Sequence, residues 1–222
     1  MITRDHKADY YINELKLGNF FSFTRWGDGE WACTHGKKGH NCDLHIYFPD
    51  MSKDLQKAIR SGKNYHKAIW PTTHGQIRKN LGMIMECLDG VEVEWSNAIV
   101  WEDLVIREGI DKMVNQLRNM NFIMVSEGSK RNLDFVTDFI EVPAKNCYLE
   151  KERIKNLMRA MLRKYDNVVF GMSASMATNV IVDELFDEIG DKCWMIDFGS
   201  IWDPFVGRHT RSYHREYIKK SI

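Results

Sequence analysis

Apolar runs of strand length alternate with amphipathic helical patterns through the second half of the chain. The apolar runs fall at 121–126, 138–142, 167–170 and 193–196. Helical spacing of apolar residues predicts helices between them, at about 150–164 and 177–189. Strands that alternate with helices of this length are typical of β-α-β units, in which parallel strands are covered on both faces. The pattern therefore predicts an α/β protein whose mostly parallel, Rossmann-like sheet is flanked by helices.

The first half of the chain carries the same two kinds of pattern in a less regular order. Phe21 and Phe23 alternate with Ser22 and Thr24, which predicts a half-buried strand. Helical spacing predicts further helices at 5–17, from Pro49 to near Gly62, from Thr73 or Gln76 to about Leu88, and over 101–120 after a short strand or buried segment at 95–101. The 222 residues fit a single domain, 1–222, that is large enough to bury one core.

Charge balance, hydropathy and cysteine count argue against several classes of protein. Lys and Arg number 31 and Asp and Glu also number 31, so no overall basic field draws the chain to nucleic acid or a membrane. No apolar run is long enough to span a bilayer, and the N-terminal residues lack the apolar core of a signal peptide. Five cysteines, an odd number, fit a reducing compartment better than a disulfide framework. A cytoplasmic protein without a membrane span is therefore expected.

The stretch from Phe21 to Trp31 ends in an acidic sequence that suggests metal binding. Glycines flank Asp28, so we predict a turn in which the carboxylates of Asp28 and Glu30 converge. Two close carboxylates need compensation by a cation, either a metal or the neighbouring Arg25. Ligands that are all oxygen favour Mg²⁺ or Mn²⁺ over zinc. The alternative is an Asp-Gly hairpin turn with Glu30 in solvent.

Five loops follow predicted strands, at the side of a parallel sheet where ligands bind. These loops are residues 25–30, 127–131, 143–146, 171–175 and 197–203. We therefore expect all of them to open onto one crevice. The glycine-serine loop stands between a strand and a helix, where backbone N–H groups suit a phosphate; alternatively, Ser173 or Ser175 simply caps the helix. The cations that follow strands and suit a diphosphate are Lys130, Arg131 and Lys145.

Two further segments carry candidate chemistry. Residues 33–45 contain two Cys and three His, but their spacing matches no zinc-finger pattern, and zinc is the less favoured interpretation. The C-terminal segment 201–222 is basic and includes Tyr213 and Tyr217, so residues 208–220 are a candidate contact for nucleic-acid phosphates. An ordinary solvated terminal helix is the alternative; we favour it for the last ten residues and favour a functional role for residues 203–211.

Several segments together resemble the GT-D-type glycosyltransferases, a family with a Rossmann-like sheet and an Asp-x-Glu motif for metal and sugar nucleotide. The matching segments, in the family's order, are TRWGDGEW (24–31), SEGSKR (126–131), VPAKNCY (142–148), FGMSASMATNVIVDEL (170–185) and IDFGS (196–200). The resemblance implies transfer of a sugar from a nucleotide donor, with Asp28 and Glu30 near the metal and diphosphate. The chain departs from the family after Arg131 and after Gly199, so the donor sugar and the acceptor stay open.

Pattern and resemblance together make the chain a candidate metal-dependent, nucleotide-sugar-dependent hexosyltransferase. Asp28 and Glu30 are expected to hold Mn²⁺ or Mg²⁺, and Asp203 is the first candidate for the base that activates the acceptor, with Glu127 second. The residues expected to bind the donor, most simply a UDP-sugar, are Arg25, Gly27, Gly29, Glu127, Lys130, Arg131, Lys145, Asn146, Gly171, Ser173, Ser175, Asp197, Ser200 and Arg208. The acceptor hypotheses are a hydroxymethylated base in phage-type DNA, a protein and a cell-surface glycan. Rival hypotheses are a non-catalytic nucleotide or nucleic-acid binding module and a metal-dependent phosphoesterase.

Overall fold

The computed structural model describes residues 2–215, and within that range eight strands form one entirely parallel sheet. The strands are β1 (Ile2–Arg4), β2 (Ser22–Trp26), β3 (His66–Ile69), β4 (Trp95–Asn97), β5 (Asn121–Ser126), β6 (Asp138–Glu141), β7 (Val168–Met172) and β8 (Trp194–Asp197). Their order across the sheet is β1-β4-β3-β2-β8-β7-β5-β6. Every pairing between these strands is parallel, which confirms the predicted α/β class.

Helices cover both faces of the sheet and divide the core into two layers. The α-helices are α1 (Ala8–Leu17), α2 (Asp28–Thr34), α3 (Pro49–Arg60), α4 (Gly75–Leu88), α5 (Val100–Asp103), α6 (Asp111–Leu117), α7 (Lys151–Lys164) and α8 (Ala177–Ile189). One apolar layer contains buried residues of α2, α3, α4, α7 and α8. The other contains buried residues of α1, α5 and α6 together with the C-terminal segment 198–213. Two covered faces explain why the strands are apolar along their whole length.

None of the helices in residues 2–215 combines the length and the apolar composition needed to cross a membrane.

The regular second half of the chain agrees with its sequence pattern, whereas two strands of the first half carry no prediction. The four predicted apolar strands correspond to β5, β6, β7 and β8. Strands β1 and β3 are only three and four residues long, so neither shows a strand periodicity. The helix predicted at 101–120 is interrupted: α5 continues into a π-helix, Leu104–Glu108, and Gly109 then adopts a φ of +88° before α6 begins.

The predicted acidic turn after β2 is wrong, because Asp28 begins helix α2. The backbone N–H of Gly27 donates a hydrogen bond of 3.0 Å to the Glu30 carboxylate. A Glu in the third helical position that accepts from the residue before the helix is a recognised way to start a helix. The same sequence that suggests a glycine turn therefore encodes a helix start, and Cys33 lies in that helix, as expected for the element that carries Glu30.

Candidate active site

The predicted loops lie along one edge of the sheet. Strands β2, β8, β7 and β5 are consecutive neighbours, and because all are parallel their carboxyl ends share that edge. Four of the loops follow these strands, and the fifth follows β6 at the outer side of the sheet. All five loops therefore lie at the same edge of the sheet, and that they open onto one crevice stays a prediction.

An ion pair between Arg25 and Asp197 joins the ends of β2 and β8. Their side chains are 3.2 Å apart and both are largely buried. Asp197 also accepts the backbone N–H of Gly199 at 2.9 Å. Gly199 has a φ of +55°, and a Cβ there would lie 1.6 Å from the Arg25 guanidinium, so only glycine fits beneath this arginine. Asn179 of α8 donates a hydrogen bond of 2.9 Å to the Arg25 backbone carbonyl, so the backbone of this arginine is held in place as well.

Glu30 is a half-buried carboxyl group whose charged form is held at an energetic disadvantage. Burial raises its pKa from 4.5 to about 7, and the nearby charge of Asp197 adds to the rise. The hydrogen bond from Gly27 and the charge of Arg25 oppose this shift without cancelling it. A carboxyl whose pKa is raised by burial at a cleft is a candidate functional group, because an added cation would favour its charged form.

Asp28 is exposed on the first turn of α2, two positions before Glu30. Side chains two residues apart on a helix do not face each other, so the close convergence expected of a turn is not what this backbone produces. Both acids nevertheless act on one neighbour. Burial raises the pKa of Tyr47 to about 12, and the charges of Asp28 and Glu30 add to that rise. The two carboxylates therefore lie within electrostatic range of the same phenol.

The donor set fits a metal that arrives with a diphosphate better than a permanent metal cage. In the described range, no three His, Cys, Asp or Glu side chains are grouped so that they could hold a metal ion. Mg²⁺ is commonly bound by one or two carboxylates and takes its other ligands from water and substrate phosphates. Glu30 and Asp28 could supply the carboxylate part of such a site. The zinc alternative at 33–45 finds no support, because Cys33 is buried, Cys42 is exposed and His45 accepts a backbone N–H from Asn146.

The serines after β7 do not cap helix α8. Ser173 donates its hydroxyl to the Gly199 carbonyl, and the Ser175 hydroxyl accepts from Asn41 at 3.0 Å. Met176 occupies the capping position without a side-chain bond, so the capping alternative is wrong. Gly171 lies inside β7 rather than in the loop, and a Cβ there would be 2.3 Å from the Phe122 ring. Packing within the sheet therefore accounts for that glycine.

Lys130 and Asp203 form a buried ion pair after β5 and β8. Their charged atoms are 2.9 Å apart, and the second oxygen of Asp203 accepts from Thr210 at 2.6 Å. Lys130 also lies 3.3 Å from Glu127, which in turn binds Arg208 at 2.6 Å. Asp203 is only 5% exposed. Both oxygens of the expected base are thus occupied inside the protein.

Arg131, which follows β5, and the candidates Lys145 and Asn146, which follow β6, differ in what they contact. Arg131 pairs with Glu141 at 2.6 Å, and Lys145 is exposed. The Asn146 side chain accepts the backbone N–H of Ile46 at 2.9 Å. The segment between α2 and α3 is thereby fixed over the carboxyl edge of the sheet at both β6 and β7, through Asn146 and Ser175.

The first part of the basic C-terminal segment folds back onto the same edge. Arg211 pairs with Asp43 at 2.7 Å, and the Tyr213 hydroxyl lies 2.9 Å from that of Ser200. The Arg211–Asp43 and Arg208–Glu127 ion pairs neutralise part of the positive charge that suggested nucleic-acid binding. Residues 216–220 of the candidate segment lie outside the described range.

Trp70 and Glu102, at the ends of β3 and β4, complete the edge and were not among the sequence candidates. The Trp70 indole N–H donates to Glu102 at 3.0 Å, and the Arg25 guanidinium carbon is 5.6 Å from the Trp70 ring centre. Trp70 directly follows β3, so recognition of HKAI as a strand would have placed it at a carboxyl end. Glu102 carries no comparable signal, because its helix is read as one amphipathic run.

Comparison with known proteins defines the fold. No family model and no curated protein matches the chain. Two structures of domain of unknown function 1792 match it over 97% of this chain and 93% of theirs, at 14% identity. One, the selenomethionine-substituted structure, superposes with a TM-score of 0.66, and the other, described as having a distinct glycosyltransferase fold, with 0.67. The chain therefore has a glycosyltransferase-like fold.

Proposed function

We propose that the chain is a metal-dependent glycosyltransferase that moves a sugar from a nucleotide donor, most simply a UDP-sugar, to an acceptor hydroxyl. The observation that carries the proposal is Glu30, whose pKa is raised to about 7 at the carboxyl edge of a glycosyltransferase-like sheet. Burying a carboxyl group there costs stability unless a cation compensates for it, and a cation would also stabilise the charge that develops on a leaving diphosphate. Fold and electrostatics thus support the same reaction class.

Glu30 is the residue that would hold Mn²⁺ or Mg²⁺ together with the donor diphosphate, and Asp28, which does not face Glu30 on α2, would add its charge from the first turn of that helix. When bound, the metal would stabilise the negative charge that develops on the leaving diphosphate. Residues of the chain would position the donor. The Arg25 Nε atom is buried and has no hydrogen-bond partner within residues 2–215, so it is suited to a charged oxygen.

The other cations differ in how freely they can contact a donor. Lys145 is exposed at the same edge and is available to a phosphate. Lys130 and Arg208 already bind carboxylates, and a donor contact from either would require an ion pair to open. Arg25 also pairs with Asp197, but its Nε atom stays without a partner in residues 2–215, so we assign the donor charge first to Arg25 and Lys145. Ser173 and Ser175, which follow β7 at the same edge of the sheet, are assigned to donor hydrogen bonds.

The acceptor is the least constrained part of the proposal. Hydroxymethylated DNA, protein and glycan all offer the hydroxyl that the reaction needs. Arg208 and Arg211 are paired with Glu127 and Asp43, so DNA binding by the described part of the basic segment would have to compete with these contacts. Binding that depends on phosphate contacts would weaken steeply as salt increases.

A donor screen tests the proposal directly. Release of nucleoside diphosphate from a panel of UDP-, GDP- and dTDP-sugars would be measured with Mn²⁺, with Mg²⁺ and with EDTA, and then with modified and unmodified DNA, glycan and protein acceptors. We expect metal-dependent release from at least one donor and loss of that release in Glu30→Ala. Nucleotide binding without turnover of any donor would favour the non-catalytic module, and Mg²⁺-dependent cleavage of DNA would favour the phosphoesterase.

A further inference from the structure

A second group of functional side chains lies at the carboxyl ends of β3 and β4. In the order of the sheet, Asp197 is on the β8 side of Arg25, and Trp70 and Glu102 are on its β3 and β4 side. The Trp70 indole N–H fixes one Glu102 oxygen at 3.0 Å, and the indole lies 5.6 Å from the Arg25 guanidinium. Arg25 therefore lies between Asp197 on one side and Trp70 with Glu102 on the other.

The Trp70 ring extends from Glu102 towards Glu30. A Cβ on Gly27 would be 3.3 Å from one end of the indole and 3.2 Å from the Glu30 carboxylate. The other end of the indole carries the N–H that binds Glu102. The Trp70 indole therefore lies between the Glu30 and Glu102 carboxylates.

We propose that Glu102 is the catalytic base that removes the acceptor proton, and that Trp70 is the residue that positions it. This inference rests on the proposed glycosyltransferase function and adds the site of the acceptor hydroxyl. Glu102 and Trp70 are both partly exposed, so an acceptor can reach them. By contrast, Asp203 is 5% exposed, and both of its oxygens are bound to Lys130 and Thr210.

The local backbone and electrostatics support this assignment. Glu102 lies in α5 immediately before the π-helix Leu104–Glu108, and such local widenings of a helix occur frequently at functional sites. Burial raises the pKa of Glu102, while the Trp70 hydrogen bond and the charge of Arg25 lower it. A base whose pKa is brought nearer to neutrality accepts a proton more effectively. The charged or titratable groups that act on Glu102 or respond to it are Arg25, His74, Asp103 and Tyr213.

The proposed step is a direct displacement at the anomeric carbon of the donor sugar. The acceptor O–H gives its proton to the Glu102 carboxylate, and the oxygen forms a bond to the anomeric carbon. The bond from that carbon to the diphosphate oxygen breaks, and its electron pair leaves with the nucleoside diphosphate. Glu102 then releases the proton to solvent, which restores the carboxylate for the next turnover.

Glu102→Gln tests the base, because glutamine keeps an oxygen that can accept the Trp70 N–H but cannot take the acceptor proton. We expect kcat for transfer to fall roughly 10²–10⁴-fold. The Kd for UDP in the presence of Mn²⁺ should stay within a factor of about three, since Glu102 is not assigned to the donor. The matched control is Asp103→Asn on the same helix, whose carboxylate pairs with Arg107 at 3.4 Å rather than with Trp70. This control should keep kcat within a few-fold of wild type.

Trp70→Phe tests the positioning role through a readout that simple loss of packing would not produce. The variant keeps an aromatic ring but loses the N–H that lowers the pKa of Glu102. The acidic limb of the profile of kcat against pH should therefore move to higher pH. Transfer by Glu102→Gln at the wild-type rate, or a large loss confined to Asp203→Asn, would overturn the assignment while leaving the proposed function intact. Absence of metal-dependent UDP binding and turnover in wild type would overturn both.

Discussion

Replacing Glu30 with glutamine should stabilise the metal-free protein at alkaline pH. The rise in the pKa of this carboxyl, from 4.5 to about 7, means that the folded protein binds the proton more tightly than the unfolded chain does. The stability that follows from the neutral acid is fully present below pH 4.5 and is lost as the pH rises through 7. Glutamine stays neutral at every pH and keeps an oxygen for the Gly27 N–H.

The size of the effect follows from the shift in pKa. Each pKa unit corresponds to about 1.4 kcal/mol, so the full shift corresponds to about 3 kcal/mol at pH 8. For a chain of this size, that difference raises the melting temperature by roughly 6 to 12 °C. At pH 4 both proteins are neutral at this position, and their free energies of unfolding should be nearly equal.

Urea denaturation in EDTA at pH 4, 6 and 8 measures this difference. Glu92→Gln, at an exposed position, is the control and should show no such pH dependence. Mn²⁺ with UDP should then stabilise wild type more than Glu30→Gln, because the ligand binds through the charged carboxylate. A Glu30→Gln variant that is no more stable than wild type at pH 8, or equally more stable at every pH, would refute the reasoning.

Two further substitutions test the structure around the site. Gly199→Ala places a methyl group against the Arg25 guanidinium at a positive φ. We expect the free energy of unfolding, measured by urea denaturation, to fall by roughly 1–3 kcal/mol, and UDP to bind more weakly. Unchanged stability would contradict the close approach of Gly199 to Arg25. Lys130→Met leaves Asp203 buried without its cation and should lower the free energy of unfolding by roughly 3–5 kcal/mol. The double variant with Asp203→Asn should recover most of that loss. Additive losses in the double variant would argue against the ion pair.

The sequence predicts those parts of the fold in which each element carries its own pattern. Strands β5 to β8 are apolar throughout because helices cover both faces, so each is visible as a separate run. Strand β3 lacks that signal because it is only four residues long and includes Lys67. This buried lysine places its ammonium group 4.2 Å from the Tyr65 ring centre and donates to the Lys63 carbonyl, so a charged residue occupies a strand position.

The sequence predicts which loops lie at the site, but not which side chains in those loops bind one another. Placing candidates at the carboxyl ends of parallel strands brought together Arg25, Glu30, Asp197 and the serines after β7, because topology alone fixes that edge. The partners of each residue depend on contacts between distant positions. Arg25 and Asp197 are 172 residues apart, and no local pattern indicates that Asp203 is occupied by Lys130. The turn expected at Asp28 is wrong because glycine suits turns and also the position before a helix, where Glu30 then accepts the Gly27 N–H.

The most direct test of the account is Mn²⁺-dependent release of UDP from the preferred sugar nucleotide by wild type and by Glu30→Ala, measured side by side with Glu92→Ala as the control. The account predicts that wild type and Glu92→Ala release UDP at similar rates, that EDTA abolishes this release, and that folded Glu30→Ala releases none above background. Equal release by Glu30→Ala and wild type, or release that persists in EDTA, would contradict the claim that this carboxylate holds the metal for glycosyl transfer.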